Sequence, residues 1–159
     1  MIKKLTLFLS LLIGLHMTID AQPRAIGARI GGDIDFSYQH QLGRNMLDCS
    51  AGFGFGGSYM AFGAAAAYDW IFPFRSWTYD GAWNWYVGPA AGVGFVFGGA
   101  DRFRVPVSLS IGGQIGVEYQ FWFPLTLSLD YRPMINLLGF TDRVWARFAG
   151  ISLGVRYRF

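Results

Sequence analysis

From Val105 to Phe121 the chain alternates apolar and polar residues. Val105, Val107, Leu109, Ile111, Ile115, Val117, Tyr119 and Phe121 fall on one face; Ser108, Ser110, Gly112, Gln114, Gly116, Glu118 and Gln120 fall on the other. A period of two is the signature of a strand with one apolar face. This one is about three times the usual 5–6 residues. The pattern recurs from Leu125 to Pro133 and from Ile151 to Phe159, with charge confined to the polar face. It recurs in Leu47–Phe55, Met60–Trp70 and Trp83–Phe97, where small residues mostly occupy the second face.

The chain has 159 residues, enough for one ordinary domain. It is 53% hydrophobic and only 14% charged, yet has no apolar run of the ~20 residues a membrane helix needs. The apolar surplus is spread along strands. A lipid-facing β-barrel has this apolar-out, polar-in order. It also pairs every backbone group internally and leaves no open edge. The expected fold is therefore all-β, an antiparallel up-and-down transmembrane β-barrel occupying residues 22–159. Aromatic residues near strand ends, Tyr68, Trp70, Phe72, Trp77, Trp83, Trp85, Phe121, Trp122 and Phe123, read as interfacial girdles.

The N-terminus differs. Lys3 and Lys4 precede an apolar stretch from Leu5 to about Leu15, and Ala21 follows a few residues later. This order reads as a secretory signal peptide spanning 1–21. Its removal takes away Lys3, Lys4 and Asp20 and lowers the formal charge from +3 to +2. So small and dispersed a charge gives no reason to expect nucleic-acid binding. The single cysteine, Cys49, has no intramolecular disulfide partner, and no Cys/His cluster has metal-ligand spacing, so no metal or cofactor is expected.

Strand number turns on residues 24–42, which form either one long strand or a hairpin turning at Gly31-Gly32-Asp33. Single-chain bacterial barrels have even strand numbers and both termini in the periplasm. Parity selects the hairpin and eight strands. Turns after Leu42, after Phe72 and at Phe121–Pro124 then face the periplasm. Those at Gly31–Asp33, Gly56–Ser58, Gly98–Arg102 and Leu137–Trp145 face outward.

Ten charged residues share the inward face: Arg29, Asp33, Asp35, Asp48, Asp69, Glu118, Asp130, Arg132, Arg156 and Arg158. Paired carboxylates suit acid/base chemistry. Opposite charges in a narrow barrel more simply neutralise one another, because unpaired buried charge is costly. An interior eight strands around holds little beyond its own side chains, which argues against an open pore. His40 beside Ser37 raises a hydrolase reading, but parity puts the two on opposite faces. Gly52-Phe53-Gly54-Phe55-Gly56-Gly57 matches the dinucleotide fingerprint in letters only, because no helical pattern follows it.

Several segments carry a family resemblance: Ala21-Gln22, Ala25-Ile26-Gly27-Ala28-Arg29, Phe36-Ser37-Tyr38-Gln39-His40, Trp85-Tyr86-Val87-Gly88-Pro89, Gly116 to Phe121, Pro124 to Pro133, and Arg156-Tyr157-Arg158-Phe159. In these the chain resembles the small outer-membrane β-barrel proteins of Bacteroidota-type bacteria, in the OmpA/OmpX-like eight-stranded class. The resemblance implies a Gram-negative outer membrane, with outer-membrane lipid around a monomeric barrel. It also implies that Ile151, Leu153, Val155, Tyr157 and Phe159 form the strand presented to the insertion machinery during assembly. It supplies no catalytic set. The expected role is non-enzymatic, structural or surface-interacting; the alternatives are an outer-membrane lipid-modifying enzyme or a narrow pore.

Overall fold

The computed structural model describes residues 23–32, 34–56, 59–74, 80–97, 107–138 and 150–159. Their strands are β1 (Arg24–Ile30), β2 (Ile34–Leu42), β3 (Asn45–Gly56), β4 (Tyr59–Phe74), β5 (Ala82–Phe97), β6 (Val107–Gln120), β7 (Leu125–Arg132), β8 (Met134–Leu138) and β9 (Gly150–Arg158). There is no helix among the described residues. Each strand pairs antiparallel with its neighbours. β1 meets both β2 and β9, and β5 meets β6, so the sheet closes on itself.

β7 and β8 count as one wall of the barrel. Both pair with β6, in one unbroken register from Ile115↔Tyr131 to Ile111↔Ile135. Pro133, which has no backbone N–H to give the ladder, divides them, and its carbonyl accepts from Gly113 N at 3.0 Å. The closed barrel therefore has eight walls. The hairpin between β1 and β2 is present, with Ile30 facing Ile34. Several strand ends differ from the sequence reading, β3 opening at Asn45 rather than Leu47 among them, and two of the differences shift a turn. β4 runs past Phe72 to Phe74, and the β7–β8 wall continues through Leu137 to Leu138. In each case cross-strand pairing carries the strand beyond the point where turn residues marked an end: Phe74 pairs with Trp83, and Leu138 with Leu109. The expected start at Val105 and the turns at Gly98–Arg102 and Gly57–Ser58 lie outside the described residues, as do Trp77 and most of Leu137–Trp145.

The register fixes the geometry. Stepping across paired residues from Leu125 leads to Tyr157, Ile26, Tyr38, Cys49, Ala66, Ala91, Ile111 and finally Ile135, on the same wall and ten residues along. Eight walls and a shear of ten, with ordinary strand rise and spacing, give a tilt of about 41° and a radius of about 8 Å. Each residue then climbs about 2.5 Å along the axis, and each step along the row about 3 Å.

On that scale Tyr157 of β9, His40 of β2, Trp70 of β4, Trp85 of β5 and Tyr119 of β6 stand within about 4 Å of one level. All five point outward, near the end where Arg24 and Phe159 meet. Rings meet along this end: Phe72 stacks on Trp85 with centroids 4.4 Å apart, Trp83 lies tilted against Tyr119 at 4.8 Å, and Tyr119 meets Phe121 edge-on at 4.6 Å. The β2–β3 turn here is tight. Gly43 takes the left-handed φ of 65° between paired Leu42 and Asn45, a conformation glycine adopts without a Cβ penalty.

Burial runs opposite to that of a water-soluble barrel. Apolar residues of the outer face are exposed, among them Phe36, Leu129, Ile135, Ile151 and Leu153, while the fully buried side chains are mostly polar or charged. Among the described residues, the outward strand positions beyond Arg24 at the terminal rim carry no Asp, Glu, Lys or Arg.

Candidate functional site

Alternation places every second residue of eight walls in one narrow interior, and this brings together most of the charges expected there. Arg29, Asp48, Asp69, Glu118, Asp130, Arg132 and Arg156 are all buried. They do not form a single cluster.

At mid-barrel, Arg156 of β9 spans four walls. Its Nε donates to Ser37 Oγ of β2 at 2.8 Å, its Nη1 to Ser128 Oγ of β7 at 2.6 Å, and its Nη2 lies 3.3 Å from Asp48 Oδ2 of β3. The same Asp48 oxygen accepts from Gln39 and Gln114 Nε2, both at 3.3 Å. Arg29 of β1 approaches Asp130 of β7 at 3.4 Å and donates to Ser152 of β9 at 2.6 Å. β1 and β9 are the strands whose pairing closes the barrel. Their two arginines therefore tie that seam to the walls flanking it, β7 on one side and β3 on the other.

Arg132 and Asp69 are linked differently. Arg132 Nε donates to Gln114 Oε1 at 2.6 Å, and Gln114 Nε2 donates to Asp69 Oδ2 at 2.9 Å. A glutamine amide thus stands between guanidinium and carboxylate. Arg132 also donates to Ser50 Oγ at 3.0 Å, which Arg29 reaches at 3.4 Å. Closer to the terminal end the arrangement repeats. Arg158 donates to Gln120 Oε1 at 3.0 Å, and Gln120 Nε2 donates to Glu118 at 2.7 Å, with Asn84 donating to the same oxygen at 2.9 Å. Arg158 also donates to the carbonyls of Phe121 and Phe123, latching β9 onto the β6–β7 turn.

Asp35 is half-buried over Gly52, so close that a Cβ there would collide with its carboxylate. Asp33 lies outside the described residues. Sequence alternation had placed Gln114, Gln120, Ser37, Ser50, Ser128 and Ser152 inside without assigning them a role. They supply most of the hydrogen bonds. Their signal was available: polar, uncharged side chains recurring on the same faces as the charges.

Tyr86 of β5 fills the space below Gln114. It is 0% exposed, and its ring covers Gly116, the residue directly opposite on β6, where a Cβ would fall 2.5 Å from the ring. Below it a gap of about 20 Å³, bounded by Gln39, Glu118, Gln120, Thr126 and Arg158, has room for one water molecule. At these levels side chains fill the interior.

The remaining motifs are not assembled into sites. Ser37 points inward to Arg156, whereas His40 is half-buried on the outer face, its Nδ1 3.3 Å from the Tyr38 hydroxyl. Gly52, Gly54 and Gly56 lie within β3. Cys49 faces outward beside Ala66 and Ala51, in a recess of about 500 Å³ on the outer wall. Ile151, Leu153, Val155 and Tyr157 of β9, and Phe159 just after it, are all exposed. The Phe159 and Arg24 backbones exchange two hydrogen bonds, of 2.8 and 3.1 Å. The eight-walled antiparallel barrel fits the OmpA/OmpX-like class, while comparison with family models, curated proteins and solved structures gave no match.

Proposed function

We propose that this protein is an integral outer-membrane β-barrel of a Gram-negative cell, non-enzymatic, with a filled interior and a structural or surface-interaction role. Residues 1–21 act as a cleaved signal, and 22–159 form a monomeric barrel with both mature termini in the periplasm. Its partners are outer-membrane lipid and, during assembly, the insertion machinery that receives β9. The observation that carries this reading is the inverted burial: exposed apolar side chains cover the outer face while guanidiniums and carboxylates are buried within. In water such an exposed face would be a strong aggregation hazard; in hydrocarbon it is the favoured surface. The level ring of Tyr157, Trp70, Trp85 and Tyr119 supports it, because amphipathic rings favour the boundary between headgroups and hydrocarbon.

The test is refolding of residues 22–159 into phosphatidylcholine vesicles. The expected result is a β-rich protein that resists carbonate extraction and migrates faster on gels unboiled than boiled. A protein that stays soluble and monomeric without detergent or lipid would overturn the reading. In planar bilayers the same material should carry no steady current; stable conductance would overturn the filled interior.

A further inference from the structure

The two ends of the barrel differ in how level they are. At the terminal end, five walls place Tyr157, His40, Trp70, Trp85 and Tyr119 within about 4 Å of one height. At the far end the β1–β2 hairpin turns early. Ile34 pairs with Phe53, and β3 stays paired with β4 three residues further, to Gly56. With the climb per residue and per wall given above, Ile34 stands about 15 Å above the ring and Gly56 about 26 Å. Only the second height matches the apolar band of about 25 Å that a barrel presents to lipid.

Tilting the barrel would raise the low wall toward the far headgroups. It would also drag part of the level ring out of its own interface, so the ring holds the axis upright. The hairpin cannot sit in hydrocarbon unchanged either. Gly31 and Gly32 at its turn are exposed, and backbone groups without partners are not tolerated in a lipid interior. The remaining adjustment belongs to the bilayer, which thins beside a short apolar wall.

Resting on the membrane reading, we propose that the β1–β2 hairpin draws the polar headgroups of the far leaflet down to its turn. The bilayer is then about 10 Å thinner on that flank than beside β3 to β6. The partner is the lipid headgroup layer itself, and the recognising surface is the short wall formed by Ile30, Ile34 and Phe36.

The walls supply their own control. Ile34 of β2 and Ile111 of β6 both point outward, at 67% and 47% exposure, and by the same geometry stand within about 3 Å of one height. In a Cys49→Ala background, Ile34→Cys and Ile111→Cys are labelled separately with a nitroxide in phosphatidylcholine vesicles, and depth is read from collisions with oxygen and a nickel chelate. The expected result places the Ile34 label at headgroup level and the Ile111 label about 7 Å deeper. Equal depths within hydrocarbon would overturn the proposal and leave the membrane reading standing. Two labels with the accessibility of bulk water would overturn both. Should Ile34→Cys fail to fold, Ile30→Cys on the same hairpin gives the same reading.

Discussion

Two of the interior arginines reach a carboxylate themselves, and two are held away from one by a glutamine. Arg156 and Arg29 lie within 3.3 and 3.4 Å of Asp48 and Asp130. Arg132 and Arg158 meet Asp69 and Glu118 only through Gln114 and Gln120, and both glutamines come from β6. Each bridging amide has the same polarity, donating to the carboxylate and accepting from the guanidinium. The direct pairs originate on β1 and β9, the strands that close the barrel, and reach across to β7 and β3. The difference teaches that charge in this interior does two jobs. Direct contact ties the seam to its flanking walls, while the amide-bridged pairs satisfy buried groups without bringing full charges together. Coulomb attraction falls with separation, so the direct pairs should be the more sensitive to loss of one partner.

The largest effect is expected for Arg156→Met. It leaves Asp48 with only amide donors in a site where both residues are 0% exposed, and removing one member of a buried pair costs about 3–5 kcal/mol. Urea unfolding of vesicle-refolded protein would read this as a lowered midpoint. The double variant Arg156→Met, Asp48→Leu should recover most of the loss, since apolar residues often replace a buried pair at little cost. Failure of that recovery would mean that the bonds from Arg156 to Ser37 and Ser128, not the ion pair, hold the seam.

A smaller loss is expected for Gln114→Leu. It strips the donor from Asp69 Oδ2 and the acceptor from Arg132 Nε, and buried groups left without hydrogen bonds cost about 1–3 kcal/mol. Arg132 keeps Ser50, which softens the loss. Gln120→Leu, nearer the rim where Arg158 still holds two carbonyls, should cost less again. A Gln114→Leu penalty equal to that of Arg156→Met would erase the distinction between bridged and direct pairs.

Much of this architecture was legible in the sequence because its cause is local. A two-residue period assigns each side chain to a face, and that alone put Arg29, Asp48, Asp69, Asp130, Arg132 and Arg156 inside. Strand parity recovered the hairpin at Gly31–Gly32. The partners were not legible, because they depend on shear. Arg156 lies beside Gly27 and Thr126 in the ladder yet reaches Asp48 on β3, a distance around the barrel that no single strand encodes. The strand ends at Phe74 and Leu138 were missed for a related reason. They are set by the pairing of Phe74 with Trp83 and Leu138 with Leu109, and turn residues give no measure of that. Pro133, read as the end of a strand, interrupts a wall that continues to Leu138.

The smallest effect belongs to a buried group that is neither paired nor bridged. The Tyr86 hydroxyl has no hydrogen-bond partner among the described residues, although the residue is fully buried. Its ring does the packing, lying across Gly116 where no other residue type leaves room. Tyr86→Phe keeps that ring and removes only the unmatched oxygen. Stability should therefore stay within about 0.5 kcal/mol of the parent or rise slightly, since a buried polar group without a partner is itself a cost. The same urea midpoint reads it. A loss above about 1 kcal/mol would mean that the hydroxyl is hydrogen-bonded in the folded barrel after all, most simply to water held between Tyr86 and the charges above it. The interior would then contain a third kind of link, water-bridged, beside the direct and the amide-bridged ones.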